Sequence, residues 1–141
     1  MGIFKSRATK ENETMLGGLV AMAMADGEVD SREISVLRGV AHKLGIKDSR
    51  VLEIFKNPDM SAMPKTPVKR ALFLLFMFEM MWVDGKVTPE EAKLAFSCGL
   101  ACGYTIDQVK IALASFEEIV HETKGNYNIV DIAQTIANHF G

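Results

Sequence analysis

Two stretches decide the reading: Met22-Ala-Met-Ala-Asp-Gly-Glu-Val-Asp-Ser-Arg-Glu33 and Met80-Met-Trp-Val-Asp-Gly-Lys-Val-Thr-Pro-Glu-Glu91, 58 residues apart. At that single offset Met22, Asp26, Gly27, Val29, Glu33, Gly45 and Val51 meet Met80, Asp84, Gly85, Val87, Glu91, Gly103 and Val109, seven identities over thirty positions. The identities fall at turn and cap positions, so the chain reads as an imperfect duplicate. Each copy has an apolar helix before the Asp-Gly turn, a second helix after it and a third beyond Gly45 or Gly103.

Working outward, helix 1 is expected from about Glu11 to Ala25, with Leu16, Leu19, Val20, Ala23 and Met24 at helical spacing. Gly17-Gly18 lies inside this pattern and permits close packing or a kink. Helix 2 follows Asp30 with Ile34, Leu37, Ala41 and Leu44 inward and stops at Gly45. A short helix after Asp48 carries Val51, Leu52 and Phe55. Asn57 to Pro67 holds three prolines, which lack an amide donor and resist a continuous helix, so it reads as a linker.

Thr66-Pro67 restarts the chain with a cap and a proline at the first helical position. Helix 4, about Pro67 to Val83, is apolar nearly all round and belongs at the centre of a bundle. Helix 5 starts after Thr88 and ends at Gly103. Helix 6 opens on the capping box Thr105-x-x-Gln108 and is broken by Gly125 and Asn126. Asn128 caps a last helix through Ile132, Ile136 and Phe140. No stretch alternates as a strand does.

The expected fold is therefore all-α: a compact bundle of about seven helices, two pseudo-repeated three-helix units plus a C-terminal helix acting as a lid. The expected boundaries are an N-terminal tail, 1–10, and a single helical domain, 11–141. Within that domain repeat 1 is about 11–56, the linker 57–66, repeat 2 about 67–124 and the last helix about 128–140.

Composition fits this reading. Of 141 residues 48% are apolar and 24% charged, a globular balance. The net charge of −2 lacks the basic excess of a nucleic-acid binder, so no nucleic-acid partner is expected. Two cysteines exclude a disulfide scaffold and fit a reducing compartment. His42, His121 and His139 are too dispersed in sequence for a metal cluster. The run from Ala71 to Val83 is too short for a membrane span, which needs about 20 apolar residues. No secretory signal is expected. Met1-Gly-Ile-Phe-Lys-Ser6 matches the N-myristoylation pattern. The plainer reading is a frayed terminus whose Ile3 and Phe4 touch the body or a membrane surface.

The Asp-Gly loops carry two readings. In the first they are caps. Gly27 and Gly85 end a helix in the left-handed conformation, Asp30 and Thr88 cap the next, and Glu33 and Glu91 complete capping boxes. In the second they hold an ion. Asp-Gly-x-Val-x-x-x-Glu matches the second half of an EF-hand loop, where hard oxygens suit calcium or magnesium more than zinc. The first two ligand positions would fall on Met22 and Met24, and on Met80 and Trp82. Neither loop is a complete hand, and any site is weak or pools both loops. Loop 1 is richer, because loop 2 replaces Glu28 with Lys86 and Asp30 with Thr88.

Ala25-Asp-Gly-Glu-Val-Asp-Ser-Arg-Glu33, Leu44-Gly45-Ile46 and the second Asp-Gly copy resemble the TerB-like family. That family includes the tellurite-resistance protein TerB and the N-terminal region of a membrane-anchored J-domain co-chaperone. The resemblance covers roughly residues 14–120. It implies an all-α fold of about seven helices, an association with tellurite resistance and envelope stress, and divalent metal on the loop acids. Carried onto this chain, the ligands are Asp26, Glu28, Asp30 and Glu33, with Asp84 and Glu91 in the second copy.

The remaining candidates read mainly as structure. Glu79, the only charge between Ala71 and Val83, either reaches the surface at one helix edge or faces the ion site or a polar pocket. Cys98 and Cys102 share a helix face and read as small core residues rather than half a zinc site. The nine methionines read as core filler, with an adaptable partner-binding surface as the alternative. Lys65, Lys69 and Arg70 read as a solvated helix start.

Three functions follow. The first is a cytoplasmic, non-enzymatic stress-response module with a weak divalent-metal site, acting through protein partners. The second is a metal-free interaction adaptor, in peripheral contact with the inner membrane. The third is a hydrolase using the acidic cluster with a metal; no nucleophile–base pair or phosphate-cradling loop supports it.

Overall fold

The computed structural model describes residues 6–24, 29–58, 62–82 and 88–141. Among them it has seven helices and no strand: α1 (Arg7–Ala23), α2 (Ser31–Lys43), α3 (Asp48–Lys56), α4 (Pro67–Trp82), α5 (Pro89–Ala101), α6 (Ile106–Thr123) and α7 (Ile129–Phe140).

The all-α expectation holds, and most boundaries follow the caps read from the sequence. The exception is α1, which begins four residues before the expected Glu11 and takes Arg7 to Lys10 out of the expected tail. Ser6 explains the earlier start, because its hydroxyl accepts the Thr9 amide at 3.1 Å. Asp48 is the first residue of α3, and Lys47, which makes no side-chain cap, precedes it.

α4 is the central helix. Nine of its side chains are buried, including Phe73, Phe76 and Phe78. It packs against every other helix except α3. Fully burying a large apolar side chain contributes about 1.5–3 kcal/mol, so α4 anchors the bundle. α7, expected as a lid across both halves, lies chiefly along α4 and touches α6. Phe116 of α6 packs between α4 and the α6–α7 connection, tilted on Phe78 at 5.8 Å and edge-on to Tyr127 at 5.5 Å.

Local geometry recurs at the 58-residue offset. Leu44 and Cys102 end α2 and α5, followed by Gly45 and Gly103 at φ 71° and 98°. Without a Cβ, glycine adopts that left-handed conformation at little cost. Ile46 N donates to Ala41 O at 2.9 Å, and Tyr104 N to Gly99 O at 3.0 Å. Asn12 Nδ2 reaches Leu44 O at 3.2 Å, and Arg70 Nη1 reaches Cys102 O at 3.0 Å.

The basic cluster is not the solvated helix start expected. Lys69 Nζ lies 3.3 Å from Glu11, a carboxylate that is buried and also accepts the Lys65 amide at 3.0 Å. Arg70 lies over the Tyr104 ring at 5.4 Å and donates to Cys102 O and Gly141 O. A buried carboxylate needs a cation and donors, and the start of α4 supplies them.

Candidate functional site

How α1 meets α4 sets where the ends of the two helices lie. Near the start of both helices, Glu11 binds Lys65 and Lys69. A turn or two further along, a Cβ on Gly18 would stand 2.6 Å from Phe73 and 2.9 Å from Met77. Residue numbers rise together along the contact, so α1 and α4 run parallel. Their C-terminal ends, Ala23 and Trp82, therefore point to the same end of the bundle. α2 and α5 begin from that end.

At each of these starts the capping box is complete. Asp30 Oδ1 accepts the Glu33 amide at 2.8 Å, and Glu33 Oε1 accepts the Asp30 amide at 3.2 Å. Thr88 Oγ1 accepts the Glu91 amide at 3.1 Å, and Glu91 Oε1 accepts the Thr88 amide at 3.1 Å. Glu33 and Glu91 are buried in doing so. The Glu33 amide, and secondarily Arg32, hold the Asp30 carboxyl below its ordinary value.

Of the six metal candidates, Asp30, Glu33 and Glu91 thus have a capping role. Asp26, Glu28 and Asp84 lie outside the described residues, as do Gly27 and Gly85. Among the described residues no group of three His, Cys, Asp or Glu side chains is placed to hold a metal. Capping does not exhaust a carboxylate, which offers about four lone-pair sites. The Asp30 side chain, 40% exposed and among the described residues otherwise paired with Arg32 at 3.4 Å, keeps acceptor capacity toward solvent.

Cys98 and Cys102 are buried, and burial pushes their thiols up to about 11 and about 12. Near neutral pH they are protonated apolar residues, not thiolate ligands. The close-approach reading of this helix face also holds, since a Cβ on Gly99 would stand 2.6 Å from Val109.

Glu79 falls between its two expected placements, at a helix edge that borders a groove. It is half-buried and lines a groove of about 370 Å³ between α2, α4, α6 and the α6–α7 connection. Tyr127 Oη donates to its Oε2 at 2.7 Å. Burial, and then this bond to a carboxylate, raise the Tyr127 phenol well above its usual value. Tyr127, Trp82 and Gly39 of this groove carried no signal in the sequence beyond Trp82 being the only tryptophan.

Among the described residues no helix is long and apolar enough to cross a membrane. Residues 3–54 match the family model described as Tellurite resistance protein TerB. The match spans α1 and α2 and enters α3. It contains Asp26, Glu28, Asp30 and Glu33, while Asp84 and Glu91 lie beyond it. None of the curated proteins and none of the solved structures matches the chain.

Proposed function

We propose that this chain, whose residues 3–54 match the model of the tellurite-resistance protein TerB, is a TerB-like, non-enzymatic stress-response module. In this reading it is built from two copies of one helical unit. A divalent ion, calcium or magnesium, is held weakly by the acidic loops at one end, and the module acts through protein partners. The observation that carries the reading is the parallel, in-register contact of α1 with α4, through which both Asp-Gly loops depart from the same end. Four acids between residues 26 and 33 then sit against one arginine, Arg32. An ion there would neutralise charge that the sequence concentrates. Asp30 and Glu33 remain caps, and Asp26, Glu28 and the outer face of Asp30 supply the extra oxygens.

The caps dictate the test. Replacing Glu33 damages α2 whether or not metal binds, so the informative variant is Asp26→Asn with Glu28→Gln. Millimolar calcium or magnesium should raise the melting temperature of the native protein, chelator should reverse the rise, and the double variant should lose it. An equal rise in native and variant protein would leave the loops as caps alone and favour the metal-free adaptor.

A further inference from the structure

The groove beside Glu79 points to a second surface, distinct from the capping boxes of α2 and α5. Trp82, Phe116 and Tyr127 line it together with one carboxylate, Glu79, and with Gly39 on the α2 side. Past Trp82 and Phe116 it continues into a hollow of about 290 Å³ lined by Glu117 and His121. The Tyr127 hydroxyl fixes one Glu79 oxygen. Among the described residues no cation comes within ion-pair distance of Glu79. Lys43 shares the rim but is solvent-exposed and stands apart.

A half-buried carboxylate gains from a cationic partner. Aromatic faces are negative and attract the same charge. Trp82 is 42% exposed at the junction of the two hollows, where an incoming group can lie against it. Lys43 on one rim repels a cation, and Glu117 beyond the other attracts one, so the charge pattern gives the groove a direction.

We propose that this groove binds an arginine side chain of a partner polypeptide, its guanidinium lying against Trp82 and bonded to Glu79, with the partner chain running on toward Glu117. Arginine fits better than lysine because its flat, weakly hydrated head stacks on rings and forms directed bonds to carboxylates. A polypeptide fits better than a small cation because the groove is open and continues to a second acid.

Trp82 is the only tryptophan, so with chelator present to keep the neighbouring loop free of metal its fluorescence reports on this groove. The probe is the peptide acetyl-Ala-Arg-Ala-Arg-Ala-amide, compared with the same peptide carrying neutral citrulline. The arginine peptide should give a saturable change with a Kd of about 0.1–1 mM. The citrulline peptide should bind at least about tenfold more weakly, as should the arginine peptide to Glu79→Gln. Gly39→Leu gives a second variant that fills the groove. A Cβ at Gly39 meets nothing within 4 Å and glycine is a poor helix former, so this protein should fold and not bind. Equal titration by the two peptides, unimpaired binding to folded Gly39→Leu, or no response up to about 10 mM peptide overturns the proposal. Tetramethylammonium binding as tightly as the peptide overturns it in favour of a small-cation site.

Discussion

Two glycines inside helices give a matched pair of substitutions with opposite expected signs. Gly18 faces α4, where an added methyl would stand 2.6 Å from Phe73 Cζ and 2.9 Å from Met77 Cε. Both side chains are fully buried; the flexible Met77 can adjust, but the rigid Phe73 ring has little room to move. Gly39 lies on an open face of α2, where an added methyl meets nothing within 4 Å. In a helix interior, alanine is worth about 1 kcal/mol more than glycine. Overpacking a tight contact costs about 1–3 kcal/mol. Gly39→Ala should therefore stabilise by up to about 1 kcal/mol, and Gly18→Ala should lose about 1 kcal/mol net. For a chain of this length each corresponds to about 3–4 °C in melting temperature, upward for one and downward for the other. Urea unfolding followed by circular dichroism gives the free energies directly. If Gly18→Ala stabilises as much as Gly39→Ala, α1 does not lie this close to α4, and the argument placing both loops at one end loses its footing.

The other predictions rest on single sites. Asp30→Ala and Thr88→Ala should each cost about 1 kcal/mol by removing an N-cap, measured by the same unfolding assay; Glu33→Gln, which preserves the box geometry, should cost less than Glu33→Ala. Tyr127→Phe should cost about 1–2 kcal/mol by stripping Glu79 of its hydrogen bond, and Glu79→Gln should lose less, since the amide oxygen still accepts. The two cysteine thiols are raised in the folded state to about 11 and about 12, so the folded chain holds protons that the unfolded chain releases from about pH 8.5 upward. Their contribution to stability is complete below that pH and declines as pH rises toward 11–12. Alanine at both positions should flatten that decline. A thiol reagent at pH 8 should label the unfolded protein promptly and the native protein slowly.

Much of the architecture was legible because the cues are local. Apolar spacing marks α4, Thr105-x-x-Gln108 marks the start of α6, and Asn128 marks that of α7. The start of α1 was missed because residues 7–10 carry no large apolar side chain and show no stripe; the signal was Ser6, a cap preceding a helix whose first turn faces water. What escaped the reading is what depends on partners distant in sequence. Lys69 and Arg70 look solvated until α1 brings Glu11 and α5 brings Cys102 O against them. Glu79 is an ambiguous lone charge until Tyr127, 48 residues further on, donates to it. The loop acids were easy to find and hard to interpret, since one Asp-to-Glu spacing serves both a capping box and half of a cation loop. The structure assigns the capping role to Asp30, Glu33 and Glu91, and Asp26, Glu28 and Asp84 lie outside the described residues.

The most direct trial of the central claim is a manganese titration of the isotope-labelled protein, read as paramagnetic broadening of its backbone amide signals. With both loops at one end and one ion between them, signals from residues 25–33 and 83–91 should fade together at the same substoichiometric manganese concentration, while those of the Gly45 and Gly103 turns at the far end of α2 and α5 persist. Broadening confined to one of the two segments, or no selective broadening anywhere, would contradict the account.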